Sequence, residues 1–421
     1  MANKCKTQKL GQYFTTDLSL KLQLFALIKN NPIKILEPSI GRGDLVTYVS
    51  QQFAKAGHTI EFDLYELDNT IEFLPQIDKT KIIFGDFLEQ SSNNTTKYTT
   101  IIGNPPYVKT SSGNLYVKFI EKCFNMLANC GELIFIVPSE IFKLTQSAKL
   151  LVTMMESGTF TDIYHPHNEK LFENANIDVL IFRYCKDISL PKRVEYNGVT
   201  KSIINSNGLI TFADITKDTA TCKTIGDYFD VYVGIVSGKD EVYKNTELGN
   251  ISVINGENKI DKYILINTYP SDNPDINTYL EQHKTSLISR KIKKFTEKNW
   301  WQWGALRNIT VMLQKAGTAC IYVNNLTRSE NIAFQGTVGY FGGGLLMMIP
   351  KNVSIDLGKV VDYLNTESFK DNFIFSGRFK IGHRQLVNSI IDAKLIGDSS
   401  GTSNIEKGKK KVNICRKVQQ N

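Results

Sequence analysis

Through the first 186 residues, short apolar runs alternate with stretches whose apolar positions recur every three or four residues. Seven runs read as strands: "IKILEP" (33–38), "IEFDLYEL" (60–67), "KIIFGD" (81–86), "YTTIIGN" (98–104), "ELIFIVP" (132–138), "FTDIYH" (160–165) and "IDVLIFRY" (177–184). They are too apolar to be one-sided, so both faces must be covered, the pattern of a doubly wound α/β sheet. "LVTYVSQQFAKAG" and "LYVKFIEKCFNMLANCG" supply helices between strands. Little helix fits between the last two runs, where "NEKLFENAN" reads as a loop. The final strand is therefore expected antiparallel in a mostly parallel seven-stranded sheet. After Lys186 the rhythm breaks: "CKDISLPKRVEYNG" reads as an exit linker, and short strands, polar turns and aromatics follow, as in a mixed α+β domain. The expected division is a catalytic domain over 1–186, a second domain over 187–398 and a basic flexible tail over 399–421.

Composition changes this picture in three respects. The net charge is +8, yet residues 1–186 hold 19 basic and 19 acidic side chains, so the whole excess lies in the second half. A neutral half beside a basic one suggests chemistry in the first and a polyanion surface in the second. The seven cysteines contain no C-x-x-C pair, and His165 and His167 have no further ligands nearby in sequence. That argues for reduced thiols and against a metal site. No apolar signal core or membrane-length run is found, so a cytoplasmic or nucleoid-associated protein without a membrane partner is expected.

In such a sheet, ligands sit outside the carboxyl ends of the strands. The first strand ends in "LEPSIGRGDL", with Glu37 followed by a turn containing Gly41 and Gly43; the second presents Glu66, and the third Asp86 and Phe87. Glycines allow a tight turn and close approach to a ligand. An acid at the second strand's end suits a ribose diol, Asp86 could accept from an adenine amino group, and Phe87 could pack on its ring. Two successive carboxylates repel a pyrophosphate but welcome a cation, which favours the sulfonium S-adenosylmethionine over NAD. Each acid alone could equally be a strand terminus, a solvated end or a helix cap; their order makes the case.

The fourth strand ends in Asn104-Pro105-Pro106-Tyr107. A nucleobase amino group is a poor nucleophile because its lone pair is delocalised into the ring. If the Asn104 side-chain oxygen and the Pro105 carbonyl accept its two protons, the lone pair can point at a methyl sulfonium, and positioning replaces a strong base. Tyr107 offers a face on which an extruded base stacks, and the prolines hold these groups still.

The series "GQYFTT", "LEPSIGRG", "YELD", "FGDF", "NPPY" and "LFENANIDVLIFRY" resembles, across residues 8–186, the gamma class of N6-adenine DNA methyltransferases of restriction–modification systems. The resemblance implies that S-adenosylmethionine is bound by Thr15 (methionine carboxylate), Glu37 (amino group), Glu66 (ribose), Asp86 and Phe87 (adenine), with the Gly41 turn and Asn104 beside it. It implies Asn104, Pro105 and Tyr107 as catalytic residues and Phe172 as a second aromatic against the flipped base. Glu173 stands where the family often has proline after that phenylalanine.

The implied partner is double-stranded DNA, with the target recognition domain following the catalytic one. "SRKIKKFTEKNWWQWGALRN" (289–308) sets Arg290, Lys291, Lys293, Lys294 and Lys298 before three tryptophans, a basic run suited to phosphate contact, although tryptophans are usually core. "SGRFKIGHRQL" (376–386) is a second basic candidate. A monomer with any matching endonuclease encoded separately is expected. The rivals are methylation of an RNA base amino group, methylation of a release-factor glutamine, whose enzymes carry a domain before the catalytic fold and little after it, and a DNA-binding module without activity.

Overall fold

Each of the seven apolar runs forms a strand, and the polar turns between them decide where each one stops. The computed structural model describes residues 11–91, 95–111, 113–173, 175–214 and 223–396; the tail expected over 399–421 lies outside them. The strands are β1 (Lys34–Glu37), β2 (Glu61–Glu66), β3 (Ile82–Phe84), β4 (Tyr98–Gly103), β5 (Leu127–Pro138), β6 (Thr159–Tyr164) and β7 (Val179–Cys185). They lie side by side in the order β6-β7-β5-β4-β1-β2-β3. β1 to β5 pair in parallel, and β7 runs antiparallel to both its neighbours, as a loop connection from β6 requires.

Adjacent residues of each strand enter opposite layers. Leu36, Ile101, Leu133 and Phe135 pack with α3 (Leu115–Met126) and α4 (Ala148–Ser157). Ile35, Ile102, Ile134 and Ile136 pack with α1 (Leu18–Ala26) and α2 (Asp44–Lys55). Covering on both faces explains why the runs lacked a polar side.

The sheet does not stop at Lys186. β8 (Arg193–Tyr196) adds in parallel to β6, and β9 (Val199–Ser206) and β10 (Leu209–Ala213) follow as antiparallel hairpins, making ten strands. The expected exit linker therefore contains a strand. Its signal was present: Asn197-Gly198 and Asn207-Gly208 form the two hairpin turns, and all four residues have positive φ.

The second unit is built on an antiparallel sheet ordered β11-β14-β12-β13, with β11 (Phe229–Val233), β12 (Ala319–Asn324), β13 (Ala333–Thr337) and β14 (Leu345–Pro350). Met347 and Tyr322 face a core that includes Trp300 and Trp303, while Met348 and Ile321 face the helix Leu357–Leu364. It docks beside β10: Phe212 N–H donates to Asn372 Oδ1 at 2.8 Å, and Gln385 Nε2 donates to the Lys143 carbonyl at 3.1 Å. No helix among the described residues is long and apolar enough to cross a membrane.

Candidate active site

Strand order reverses between β1 and β4, and a crevice opens where their carboxyl ends part. A cavity of about 280 Å³ fills it. Thr15, Glu37, Gly41, Glu66, Asp86, Phe87 and Asn104 all line this cavity, so the structure gathers every residue expected at a cofactor. The floor is the turn after β1. Gly41 has φ 57° and its N–H donates to Glu66 Oε2 at 2.8 Å. Gly43 has φ 92°, and a Cβ there would lie 2.3 Å from Ile77, so no side chain fits.

The carboxylates are held rather than solvated. Glu37 is buried and accepts the Ser39 N–H at 3.0 Å; burial, with the charge of Glu66 adding to it, pushes its pKa up to about 8. Glu66 accepts from Gly41 and Asp68 backbone amides, yet burial still raises its pKa. Asp86 caps the short helix Phe87–Gln90 through Leu88 N–H, so its bland role is real, and it also faces the cavity. Phe87 is packed between Tyr65 and Phe119, with Phe119 stacked at 5.4 Å. The result is a cavity with acids along one wall and an aromatic, aliphatic end at Phe87, Leu115 and Phe119. Cationic groups, a diol and a planar ring fit such a lining.

The segment before α1 straps across the loop after β4. Tyr107 N–H donates to the Gly11 carbonyl at 3.2 Å, and Asn104 Nδ2 donates to the Tyr13 carbonyl at 2.7 Å and Thr15 Oγ1 at 3.0 Å. Both amide protons are thus spent on the strap, which fixes the flip of the side chain and turns Oδ1 to the other side. There Oδ1 accepts the Tyr107 hydroxyl, which also reaches the Ile136 carbonyl. Among the described residues no donor bonds the Pro105 carbonyl. Thr15 Oγ1 accepts from Asn104 and so keeps its own proton for a ligand.

Phe172 does reach the site, but edge-on: its ring meets Tyr107 at 6.1 Å and 75° while its body packs with Leu171, Val179 and Ile181. The ring lying most nearly parallel to Tyr107 is Tyr13, at 5.5 Å and 25°. Tyr13 was not singled out from the sequence, although it sits two residues before Thr15. Asp44 was also passed over; it lines the cavity, and burial raises its pKa.

The basic run divides. Arg290 is buried, not on the surface as expected: its guanidinium donates to the carbonyls of Leu287, Ser237, Trp300 and Gln302 and lies 3.7 Å from the Phe295 ring centroid. It ties a loop together, with four of its five N–H donors spent on carbonyls. Lys291, Lys293, Lys294 and Lys298 are exposed, on irregular backbone. Trp300 and Trp303 are core. Arg290→Ala should therefore lower stability by about 3 kcal/mol, since four hydrogen bonds are lost and the buried Leu287 and Trp300 carbonyls are left without the donor they have. Alanine at Lys291, Lys293 and Lys294 should each stay within about 0.5 kcal/mol. Urea midpoints of the four variants check this; an Arg290→Ala midpoint equal to wild type would reject the staple.

Residues 12–172 match the family described as Eco57I restriction-modification methylase. The type II methyltransferase M.HindII of Haemophilus influenzae is 24% identical over 397 residues, covering 73% of this chain and 73% of that protein. The modification methylase CviBIII of Paramecium bursaria Chlorella virus NC1A is 33% identical over 159 residues, covering 33% of this chain and 40% of that one. Among solved structures, the type IIL restriction-modification enzyme MmeI, determined in complex with DNA, is similar over 92% of this chain and 67% of its own, with TM-score 0.53 and 12% identity. With the sheet order, this likeness gives the chain the fold of S-adenosylmethionine-dependent methyltransferases.

Proposed function

We propose that the chain is a site-specific DNA methyltransferase acting on the 6-amino group of an adenine flipped out of duplex DNA, the modification enzyme of a restriction–modification system. The observation that carries this reading is the Asn104 amide, whose two protons are bound by the strap so that its oxygen faces the Tyr107 side, while no donor among the described residues bonds the carbonyl of the next residue, Pro105. Two acceptors on rigid backbone suit an amino group with two protons to give. The family match over 12–172 and the similarity to M.HindII support the same class of enzyme.

Bound S-adenosylmethionine would supply an electrophilic methyl group. Glu37, Glu66 and Asp86 would hold its amino, ribose and adenine donors, Thr15 its carboxylate, and Phe87 its ring. Asn104 Oδ1 keeps a second lone pair beside the Tyr107 hydroxyl bond, and with the Pro105 carbonyl it would draw the target nitrogen toward sp³ geometry. Tyr107 would stack on the base, with Tyr13 and Phe172 completing the aromatic wall. The proton left on nitrogen after transfer meets only these weak acceptors and passes on to water. The described part after β10 is the proposed recognition unit, which must supply the few kcal/mol that flipping costs.

Purified protein with methyl-labelled cofactor, offered duplex DNA, tRNA, ribosomal RNA or a release factor, tests the reading. Label is expected in duplex DNA, on adenine. Label in RNA and none in duplex DNA would end it.

A further inference from the structure

One basic feature does sit at the catalytic face, and it is not the lysine run. Strands β15 (Ile374–Phe375) and β16 (Arg378–Lys380) form a hairpin whose turn residues, Ser376 and Gly377, have φ of 53° and 65°. Left-handed turns of this kind match strand twist and leave little freedom at the tip. Side chains alternate along β16: Phe379 is buried, while Arg378 and Lys380 point outward and are exposed. Among the described residues no carboxylate pairs with Arg378; Lys380 Nζ lies 3.8 Å from Glu140 Oε2.

Two contacts hold this segment beside the ends of β5, β6 and β7, on the same edge of the sheet as the site. The Ser376 backbone amide faces the carboxylate of Asp178, the residue before β7. Burial pushes that carboxyl up, but bonds from His165 and Ser139 and the Ser376 amide hold it below its usual range. Ser139 follows β5 directly, and His165 follows β6. Behind the hairpin, Phe373 lies under the buried Lys143 amine at 5.3 Å. The Tyr107 hydroxyl donates to the carbonyl of Ile136 in β5, three residues before Ser139, a span of roughly 10 Å.

We propose that the Ser376–Lys380 hairpin is a phosphate clamp, with Arg378 and Lys380 gripping the DNA backbone beside the extruded nucleotide. This rests on the proposed function and locates its substrate on the protein. Extruding a base needs the flanking backbone held firmly, and cations on a short, docked hairpin lose less freedom on binding than lysines on an irregular loop. Phosphate contacts carry no sequence information, so the clamp should act alike on any duplex. Arg378 can bridge two phosphate oxygens, and Lys380 leaves a solvent-exposed ion pair of little strength.

The test is the salt dependence of duplex binding by the full chain with S-adenosylmethionine present, for wild type, R378A/K380A, R378K/K380R and K291A/K293A/K294A. Methylation of duplex DNA by wild type is measured first, and its absence sinks the functional reading rather than the clamp. With that activity in hand, R378A/K380A should lower the slope of log affinity against log salt by about two, weakening target and non-target duplex by the same factor. R378K/K380R should restore the slope, which separates lost charge from lost folding. An R378A/K380A slope equal to wild type, a loss confined to the target sequence, or failure of R378K/K380R to restore it overturns the clamp.

Discussion

Asn104→Ala should lose methyl transfer by about 10³-fold or more, roughly 4 kcal/mol of barrier, while cofactor affinity moves only a few-fold. The asymmetry follows from how the amide is spent. Its Nδ2 side holds the strap through Tyr13 and Thr15, and its Oδ1 side faces Tyr107, where the target base is proposed to lie. Truncation removes the acceptor for one amino proton, so the target nitrogen stays conjugated and its lone pair stays in the ring. The contacts proposed for Glu37, Glu66 and Asp86 sit on other strands and should survive. Asn104→Asp keeps the oxygen but cannot donate to the Tyr13 carbonyl, and it adds charge beside two carboxyls that burial already raises. It should fall between wild type and Asn104→Ala. Single-turnover rates with cofactor titrations on the same samples measure both quantities; turnover within tenfold of wild type for Asn104→Ala would remove the assigned role.

The difference between what was legible in the sequence and what was not has a physical basis. Strand-end chemistry was readable because each of Glu37, Glu66, Asp86 and Asn104 ends an apolar run, and the fold places all such ends on one side. The sheet's extension was missed because β8, "RVEY", is exposed at alternate positions and resembles a linker until Asn197-Gly198 is read as a hairpin turn. Arg290 shows a limit of another kind: one residue of a basic run was inside. Only tertiary structure reveals that four carbonyls converge on it, and nothing in "SRKIKK" separates it from its neighbours. Tyr13 was hidden for the same reason, since its partner Tyr107 is 94 positions away and the strap is irregular backbone. Arg378 and Lys380 were noticed only as charge; their distinction comes from the Asp178 anchor, made across two units of the chain.

The second large effect concerns pH. Affinity for S-adenosylmethionine should rise steeply from pH 6 to about 8 and then level off. Glu37 sets this window, because burial pushes its pKa up from 4.5 to about 8, with the charge of Glu66 adding to it against the Ser39 amide. At neutral pH the free protein mostly holds this carboxyl protonated. A ligand bringing an ammonium and a sulfonium favours the ionised form, so binding releases the proton. Release of one proton makes affinity climb about tenfold per pH unit below the free-state pKa. Glu66, raised in the same sense by burial, steepens the slope where it too ionises on binding. Folding carries the matching sign. A carboxyl raised in the folded state contributes stability in full below its ordinary value of 4.5 and loses it as pH rises through about 8. The melting temperature gained on adding cofactor should therefore grow over the interval in which affinity grows. Glu37→Gln cannot release the proton, so its affinity profile should flatten and fall below wild type at pH 8. Calorimetric titrations at pH 6, 7, 8 and 9, in two buffers of different ionisation enthalpy, count the protons directly. Equal wild-type affinity at pH 6 and pH 8, with no proton released, would mean that Glu37 does not face the cationic end of the ligand.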